Sequence, residues 1–371
     1  MIRRVQFFAV FAWFASLSPI WGDDTFYVNP ATGSDANSGT KDKPFRTLPA
    51  AADRVNELKG DGAVTVILSP GTYAMDRQAS FKASRKYTKA DRLTIRAEVL
   101  PDDPKWDTGR MPTIVHTMPL AKMGFTFGMH VETSHVTVQG LKLLGMPGVE
   151  RPRPGVLNRV YPIGRMDRRL EDLEIAQCLF AGDKVTNPNH LGILANGNGI
   201  NVHHCVFHGA KLTVVYWTAG STGHAMTNCF VDAAYGSGVW TTEIADDFIF
   251  RNNVIANSNY IWTYQSGALA RKDPDAGKGG EKSSPVPEKK GVQYKVIDSL
   301  FAGNKKVASS GTGANLGFKD IDSSFLKLVG TDVIEEAVAV EMDESKRDYL
   351  HPVAGSRAAK IGAGLFLKSA K

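Results

Sequence analysis

The sequence predicts an all-β solenoid, a parallel β-helix in which short strands stack coil upon coil. Three observations support this fold class: a pattern that recurs about every 24 residues, short stretches rich in β-branched and aromatic residues, and turn residues between those stretches. The 371 residues are 43% hydrophobic and 22% charged. This composition allows a sizeable core and excludes a disordered or collagen-like chain.

The repeated pattern places a small polar residue two positions before a large apolar one. The small residues of the five clearest copies are Cys178, Cys205, Cys229, Asn253 and Ser299, at spacings of 27, 24, 24 and 46 residues. Stacked coils bring equivalent positions to about 4.8 Å from one another, so these residues should form one ladder at the start of the third strand. Because neighbouring strand positions rarely permit disulfide torsions, the three cysteines are expected to be unpaired.

Tryptophan supplies a second repeat. Trp217, Trp240 and Trp262 follow one another after 23 and 22 residues, each within a short apolar stretch. If Val239 and Thr241 point inward, strand alternation turns Trp240 and Trp262 outward, with Trp217 beside them. Such a row would form a platform for sugar rings. The alternative is an inward aromatic stack, because aromatic side chains also fill solenoid cores.

Different segments are expected to close the two ends of the solenoid. Residues 49–59 carry apolar side chains on one face and should form a short helix that covers the open strand edges at the amino end. The tail from about residue 320, with an apolar stretch at 333–342, would cap the other end. Two insertions interrupt the coils, an Arg/Pro-rich one at 147–170 and a Gly/Lys/Pro-rich loop at 267–291.

The first 22 residues have the features of a signal peptide. Arg3 and Arg4 precede an apolar run of 13 residues, and a small residue stands just before Asp23. A run of this length is too short to cross about 30 Å of hydrocarbon, which argues against a membrane anchor. The mature chain is therefore expected to be a single domain, residues 23–371, that is secreted or periplasmic and not membrane-bound.

Segments near both ends of the mature chain resemble secreted right-handed parallel β-helix proteins of the pectate lyase-like superfamily. They are residues 26–35 (Phe-Tyr-Val-Asn-Pro-Ala-Thr-Gly-Ser-Asp), 38–40, 43–48, 70–73 and 356–364 (Ser-Arg-Ala-Ala-Lys-Ile-Gly-Ala-Gly). Together with the coils, the resemblance covers nearly the whole mature chain and implies that the parallel β-helix is right-handed. It also implies a carbohydrate-active protein of the polysaccharide lyase type, although the fold occurs equally in hydrolases, epimerases and non-catalytic adhesins.

The charge distribution favours an acidic polysaccharide as the partner. Lys and Arg outnumber Asp and Glu by 44 to 38, and the insertion at 147–170 alone contributes six arginines against two acidic residues. The planar guanidinium matches carboxylate or sulfate, which in an exported protein favours acidic sugar over nucleic acid. Arg151, Arg153 and Arg159 are the predicted substrate-binding arginines, on a loop that should lean over the face carrying the tryptophan row. A loop with scattered, solvated charges is the alternative.

β-Elimination from a uronate polymer requires a cation that neutralises the carboxylate and a base that removes the C5 proton. The candidate bases are the imidazole, phenol and amine groups on or next to the predicted first-strand face. They are Tyr216, His190, His224, Tyr264 and Lys184.

Three carboxylates, Glu243, Asp246 and Asp247, follow the stretch at 239–242 and are candidate Ca²⁺ ligands, with a solvated acidic turn as the alternative. No other cofactor is expected, and the protein is expected to be a monomer. Two other functions stay open. A glycoside hydrolase would need two carboxylates, for which Glu243 with Asp246 or Asp247 is the visible pair. A non-catalytic carbohydrate-binding or surface protein would need only the tryptophan row.

Overall fold

The computed structural model describes residues 23–118, 125–152, 158–265, 291–312 and 317–367. In these residues three sheets of ten, nine and nine strands run the length of a parallel β-helix, which confirms the predicted fold class. The predicted signal peptide, Arg153 and all but the last residue of the predicted loop at 267–291 lie outside the described residues. None of the helices in the described parts of the chain is long and apolar enough to span a bilayer.

Each coil passes through the three sheets in the order I, II, III. Sheet I contains β1 (Asp24–Val28), β2 (Val64–Leu68), β5 (Leu93–Ala97), β8 (Val136–Gln139), β11 (Leu173–Ala176), β14 (Ile200–His203), β17 (Ala225–Thr227), β20 (Ile249–Arg251), β23 (Tyr294–Ile297) and β27 (Leu326–Val329). Sheet II contains β3 (Thr72–Met75), β6 (Thr113–His116), β9 (Lys142–Leu144), β12 (Leu179–Ala181), β15 (Val206–His208), β18 (Phe230–Asp232), β21 (Val254–Ala256), β24 (Leu300–Ala302) and β28 (Asp332–Ile334).

Sheet III contains β4 (Ala79–Phe81), β7 (Phe125–Val131), β10 (Arg159–Arg165), β13 (Leu191–Ala195), β16 (Leu212–Tyr216), β19 (Ser237–Thr241), β22 (Tyr260–Tyr264), β25 (Lys306–Thr312) and β26 (Gly317–Asp320). All neighbouring strands are parallel except β25 and β26, which form an antiparallel pair at the end of sheet III. The helices are α1 (Leu48–Glu57) and α2 (Arg357–Lys360), with a 3₁₀ turn at Thr108–Arg110.

The corner between sheets I and II explains the repeat seen in the sequence. In five coils it consists of a single residue in the left-handed region, with φ between 47° and 54°: Gln177, His204, Asn228, Asn252 and Asp298. The residue that follows each corner points into the core, and these residues are the predicted ladder from Cys178 to Ser299, all buried. The three cysteines are free, as predicted. The ladder is also hydrogen-bonded, since Asn253 Oδ1 accepts the amide of Cys229 at 2.8 Å.

The predicted outward direction of Trp262 is wrong. Trp262 pairs with Val239, and both side chains are buried inside the solenoid. Trp240 pairs with Val215 in the coil before and points outward. The cause is coil length: 25 residues separate Val215 from Trp240, whereas 23 separate Val239 from Trp262. A tryptophan spacing of 22 residues therefore places Trp262 one position out of register, which reverses its face.

The predicted insertion at 147–170 is not one loop. Its residues 159–165 form β10, a regular strand of sheet III that pairs with β7 and β13. A strand of seven residues spans about 23 Å, so Arg151 before β10 lies at the opposite end of the strand from Arg168 and Arg169 after it. Arg165 is buried at the far edge, where its guanidinium donates to the carbonyls of Asn196 and Asn198 at 2.7 and 3.0 Å.

The two ends of the solenoid differ from each other. Helix α1 packs on β1, β3 and β4 and covers the amino end, as predicted. The carboxyl-terminal tail does not cap the other end. Residues 349–365 instead pack on the outer face of sheet II, where Leu350 and Leu365 join an apolar cluster with Leu179 and Phe230. That outer face is itself apolar, so the tail buries apolar side chains against it.

Candidate functional site

A cleft of about 650 Å³ lies at the amino-terminal ends of the sheet III strands. Four consecutive connections from sheet II to sheet III form its walls, and because the coils stack, these connections lie side by side. The lining residues are Val149, Glu150, Arg151, Lys184, Val185, Lys211 and Tyr235. We call this site the Lys211 cleft.

An ion pair forms the centre of the Lys211 cleft. Lys211 directly precedes β16, and its Nζ donates to Oε1 of Glu150 at 2.6 Å. Both side chains are almost completely buried. Burial lowers the pKa of Lys211, although the Glu150 carboxylate acts in the opposite direction. The amine is therefore more readily deprotonated than that of an ordinary lysine.

Polar groups without hydrogen-bond partners surround this ion pair. His190 is fully buried, with Nδ1 3.9 Å from Oε1 of Glu150. Burial, reinforced by Lys211 and Arg159, holds the pKa of His190 well below its usual value, so the imidazole is neutral. Among the described residues, neither of its ring nitrogens has a partner, and the same holds for the side-chain amide of Asn189 and the hydroxyl of Tyr235. Such groups are costly to bury unpaired, which marks this region as a functional candidate.

The mouth of the Lys211 cleft is cationic. Arg151 and Lys184 are exposed, and neither is in an ion pair within the part of the chain that the structure describes. Together with the Lys211–Glu150 pair they give the lining a formal charge of +2. Arg159, at the start of β10, adds to the positive field at His190. Of the predicted site residues, Arg151, Arg159, Lys184 and His190 thus lie in this one region.

The remaining candidate bases lie elsewhere. Tyr216 is fully buried inside the solenoid, where its hydroxyl donates to the carbonyl of Ala225 at 3.2 Å. His224 is also buried, and its Nδ1 accepts the amide of Ile200 while Nε2 lies 2.7 Å from Oγ of Ser221. Burial lowers the pKa of His224 to about 4. Tyr216 and His224 do lie on or next to a strand of sheet III, but both side chains point into the solenoid, so neither can reach a substrate as a base.

The tryptophan row does not form an open platform. Trp240 points outward but is only 2% exposed, because it packs against Trp217 and Phe318 at ring distances of 5.6 and 6.4 Å. Trp217 is half-buried and directly follows β16. It therefore lies about 20 Å from Lys211, at the opposite end of the same strand.

The acidic turn near Trp217 does not gather its carboxylates. Asp247 accepts the amide of Gly223 at 2.8 Å, whereas Asp246 is exposed. Glu243 lies beside Tyr264, and burial together with that carboxylate raises the pKa of Tyr264 to about 12. Within the described ranges, no group of three or more His, Cys, Asp or Glu side chains is arranged to hold a metal ion.

Three polar residues of the Lys211 cleft were not among the candidates from the sequence: Glu150, Lys211 and Tyr235. Lys211 did carry a signal, because it is a charged residue immediately before the fully buried strand 212–216. Glu150 is 61 positions from Lys211, and no local pattern links the two.

Comparison with known proteins adds little to the strand topology. No family model and no curated protein sequence matches the chain. Among solved structures, it is similar to a GH136 lacto-N-biosidase from Eubacterium ramulus, with 14% identity, a TM-score of 0.47 and coverage of 84% of this chain and 55% of that one. The chain thus spans little more than half the length of that enzyme.

A rhamnogalacturonan lyase has 13% identity and a TM-score of 0.47, with coverage of 92% of this chain and 99% of that one. A mannuronic acid specific polysaccharide family 6 lyase from human gut microbiota has 13% identity and a TM-score of 0.31, with coverage of 88% and 84%. The parallel β-helix is therefore established by the strand pairing of the chain itself.

Proposed function

We propose that the protein is an exported carbohydrate-active enzyme that cleaves an acidic polysaccharide by β-elimination in the Lys211 cleft. The observation that carries the proposal is the combination of a cationic mouth with a buried amine of lowered pKa. Fold and resemblance agree with this class of activity but do not distinguish a lyase from other enzymes of the same fold.

Each lining group has a role in such a reaction. Arg151 and Lys184 bind the carboxylate of a uronic acid residue, which acidifies the C5 proton and stabilises the charge that develops when that proton leaves. Lys211, as the neutral amine, takes the C5 proton. The electron pair of the C5–H bond forms the C4–C5 double bond, and the C4–O bond to the neighbouring sugar breaks.

Tyr235 supplies the proton for the departing oxygen. Burial and the nearby Glu150 carboxylate raise the pKa of the Tyr235 hydroxyl, so the phenol is protonated and has no partner among the described residues. Proton exchange with solvent then restores the neutral amine and the phenol. Glu150 holds the Lys211 amine in place, and neutral His190 and Lys184 are the alternative bases if Lys211 acts only in binding.

The decisive experiment is incubation with a panel of uronate polymers while the ultraviolet absorbance of the unsaturated product is followed. Wild-type protein should produce this absorbance, and Lys211→Met should reduce kcat by at least about 100-fold, the usual contribution of a general base. Lys305→Met is the matched control, because Lys305 is an exposed lysine at the start of a different sheet III strand. Equal rates for Lys211→Met and wild type would remove Lys211 from the mechanism.

Two other outcomes would replace the lyase proposal. New reducing ends without ultraviolet absorbance would indicate a hydrolase, which requires a second carboxylate beside Glu150, the one carboxylate of the cleft lining. Polymer binding without any product would indicate a carbohydrate-binding protein.

Calcium binding by Glu243, Asp246 and Asp247 stays a hypothesis, and loss of activity after chelation with recovery on adding Ca²⁺ would support it. Sequencing the amino terminus of exported protein would test cleavage after residue 22.

A further inference from the structure

Among the described residues, the last coil of the solenoid has a neighbouring coil on one side only. Strands β27 and β28 are the terminal strands of sheets I and II, so each is hydrogen-bonded along one edge only. Three apolar side chains of this coil are strongly exposed: Leu328 and Val329 at 43% and Val333 at 50%. An exposed apolar strand edge of this kind invites pairing with another chain.

Two of these side chains occupy core positions. Leu328 pairs with Val296, and Val333 pairs with Phe301, and both partners are fully buried in the interior stack. Leu328 and Val333 therefore continue the core of the solenoid to its end face. They are exposed because no further coil of the described chain covers them, in contrast to the scattered surface hydrophobes that are normal in proteins.

The chain's own tail is held away from this end face. Gln177 Nε2 donates to the carbonyl of Leu365 at 2.9 Å, and the amide of Gly364 donates to the carbonyl of Asn228 at 2.9 Å. Arg347 binds the carbonyl of Pro101 at 2.7 Å. These contacts fix the tail along sheet II, several coils from β27.

We propose that the end face formed by β27 and β28 binds the same end face of a second copy of the chain, giving an end-to-end dimer. An occupant of this face must offer unpaired strand edges and an apolar interior of the same cross-section, and the identical end face offers both. In an antiparallel pair of two β27 strands centred on Leu328, interior residues meet interior residues, and Lys327 faces Val329 of the other copy.

Charge agrees with this arrangement, and the buried area sets its strength. Lys327 in β27 and the two residues after β28, Glu335 and Glu336, are exposed, and none of them forms an ion pair with another described residue. A two-fold axis can bring the lysine of one copy to the acidic residues of the other. Strand β27 spans about 13 Å and β28 about 10 Å, so the area that two apposed end faces bury stays near or below the roughly 1,000 Å² expected of a specific interface, and the dimer should be weak and reversible. The dimer would replace the expected monomer.

The test compares the oligomeric state of wild type and a double variant by sedimentation equilibrium over a wide concentration range. Wild type should be a dimer, and Leu328→Lys with Val333→Lys should shift the dissociation constant by at least tenfold towards monomer. Ile249→Lys is the matched control, because Ile249 is also an exposed strand residue, at 53%, but on the side of sheet I. The control should dimerise as wild type does. A monomeric wild type at the highest soluble concentration would overturn the proposal, whether or not another segment of the chain covers the end face.

A second variant keeps the proposal testable if the charged one misfolds. Leu328→Cys should form a disulfide-linked dimer under mild oxidation, because the two-fold axis places the two copies of this position opposite each other. Ile249→Cys should stay monomeric on a denaturing gel, and the three native cysteines are buried in the ladder. Equal cross-linking of both variants would contradict the proposed interface. Neither measurement requires substrate, so the result is independent of the proposed activity.

Discussion

The first and last coils of the solenoid both have strand edges and core side chains that no adjacent coil of the described chain covers. Described residues bury them at the amino end but leave them exposed at the carboxyl end. At the amino end, α1 buries Leu48, Ala52 and Val55 completely against the first coil. The free edge of β1 is also covered, because the amide of Tyr27 donates to Gly39 at 2.8 Å and its carbonyl accepts from Phe45 at 2.9 Å. At the carboxyl end, the edges of β27 and β28 and the core residues between them are exposed.

The difference follows from where each segment leaves the solenoid. Helix α1 connects two adjacent strands of the same sheet, β1 and β2, so both of its ends are fixed at the end coil and it must fold close to that coil. The tail after β28 is fixed at one end only and follows the apolar outer face of sheet II. In a solenoid, each coil contacts only its neighbours. The way each end coil is covered therefore determines which end unfolds first.

The largest expected effect is the difference in stability lost when a core leucine is truncated at the amino end and at the carboxyl end of the solenoid. Leu48→Ala should lower the free energy of unfolding by about 2 to 5 kcal/mol, because it opens a cavity in a closed interface. Leu328→Ala should cost less than about 1 kcal/mol, since the side chain already contacts water. Urea denaturation of both variants under monomeric conditions measures the difference. Similar losses would mean that the carboxyl end is as well covered as the amino end.

A medium effect is expected from the helix caps. Thr47 caps α1 by accepting the amide of Ala50 at 3.3 Å, and its hydroxyl donates to Asp35 at 2.9 Å. Thr47→Ala should reduce stability by about 1 kcal/mol. Ser356→Ala removes the equivalent cap of α2, where Ser356 accepts the amide of Ala359 at 3.1 Å. That change should increase hydrogen exchange in the tail without moving the urea midpoint, and a shift as large as that of Thr47→Ala would contradict the comparison.

The smallest effect is a pH dependence of the stability of the tail. His351 Nε2 accepts the amide of Leu365 at 2.9 Å, and its Nδ1 lies 3.0 Å from the carbonyl of Tyr349, which requires a neutral ring. Burial lowers the pKa of His351 below its unfolded value of about 6.5. The stabilisation it provides is therefore complete above about pH 6.5 and is lost as the pH falls below that value.

Hydrogen exchange at about pH 7 and about pH 5, corrected for intrinsic rates, should show loss of protection at Leu365 relative to α1, which contains no histidine. His351→Gln should remove most of this difference. Buried His224 in the solenoid also loses stabilising effect on acidification, so the comparison of tail with α1 is the informative quantity. An unchanged ratio would mean that His351 does not anchor the tail.

The sequence by itself determined the features that depend on neighbours along the chain. The ladder from Cys178 to Ser299 was predictable because each coil repeats the same turn, whose single left-handed residue sets the direction of the next strand. Helix α1 was predictable because its apolar residues recur with the helical period. In the candidate site, Arg151, Lys184 and His190 were found because cations and imidazoles are the residue types that the chemistry requires.

Only the tertiary structure decided the features that depend on register and on stacking between coils. A difference of two residues in coil length placed Trp262 inside the core and Trp240 outside, since a shift of one position exchanges the faces of a strand. Glu150 meets Lys211 because two connections 61 residues apart lie against each other. The tail packs on the outer face of sheet II, an apolar surface made of residues from several coils that exists only once the coils have stacked.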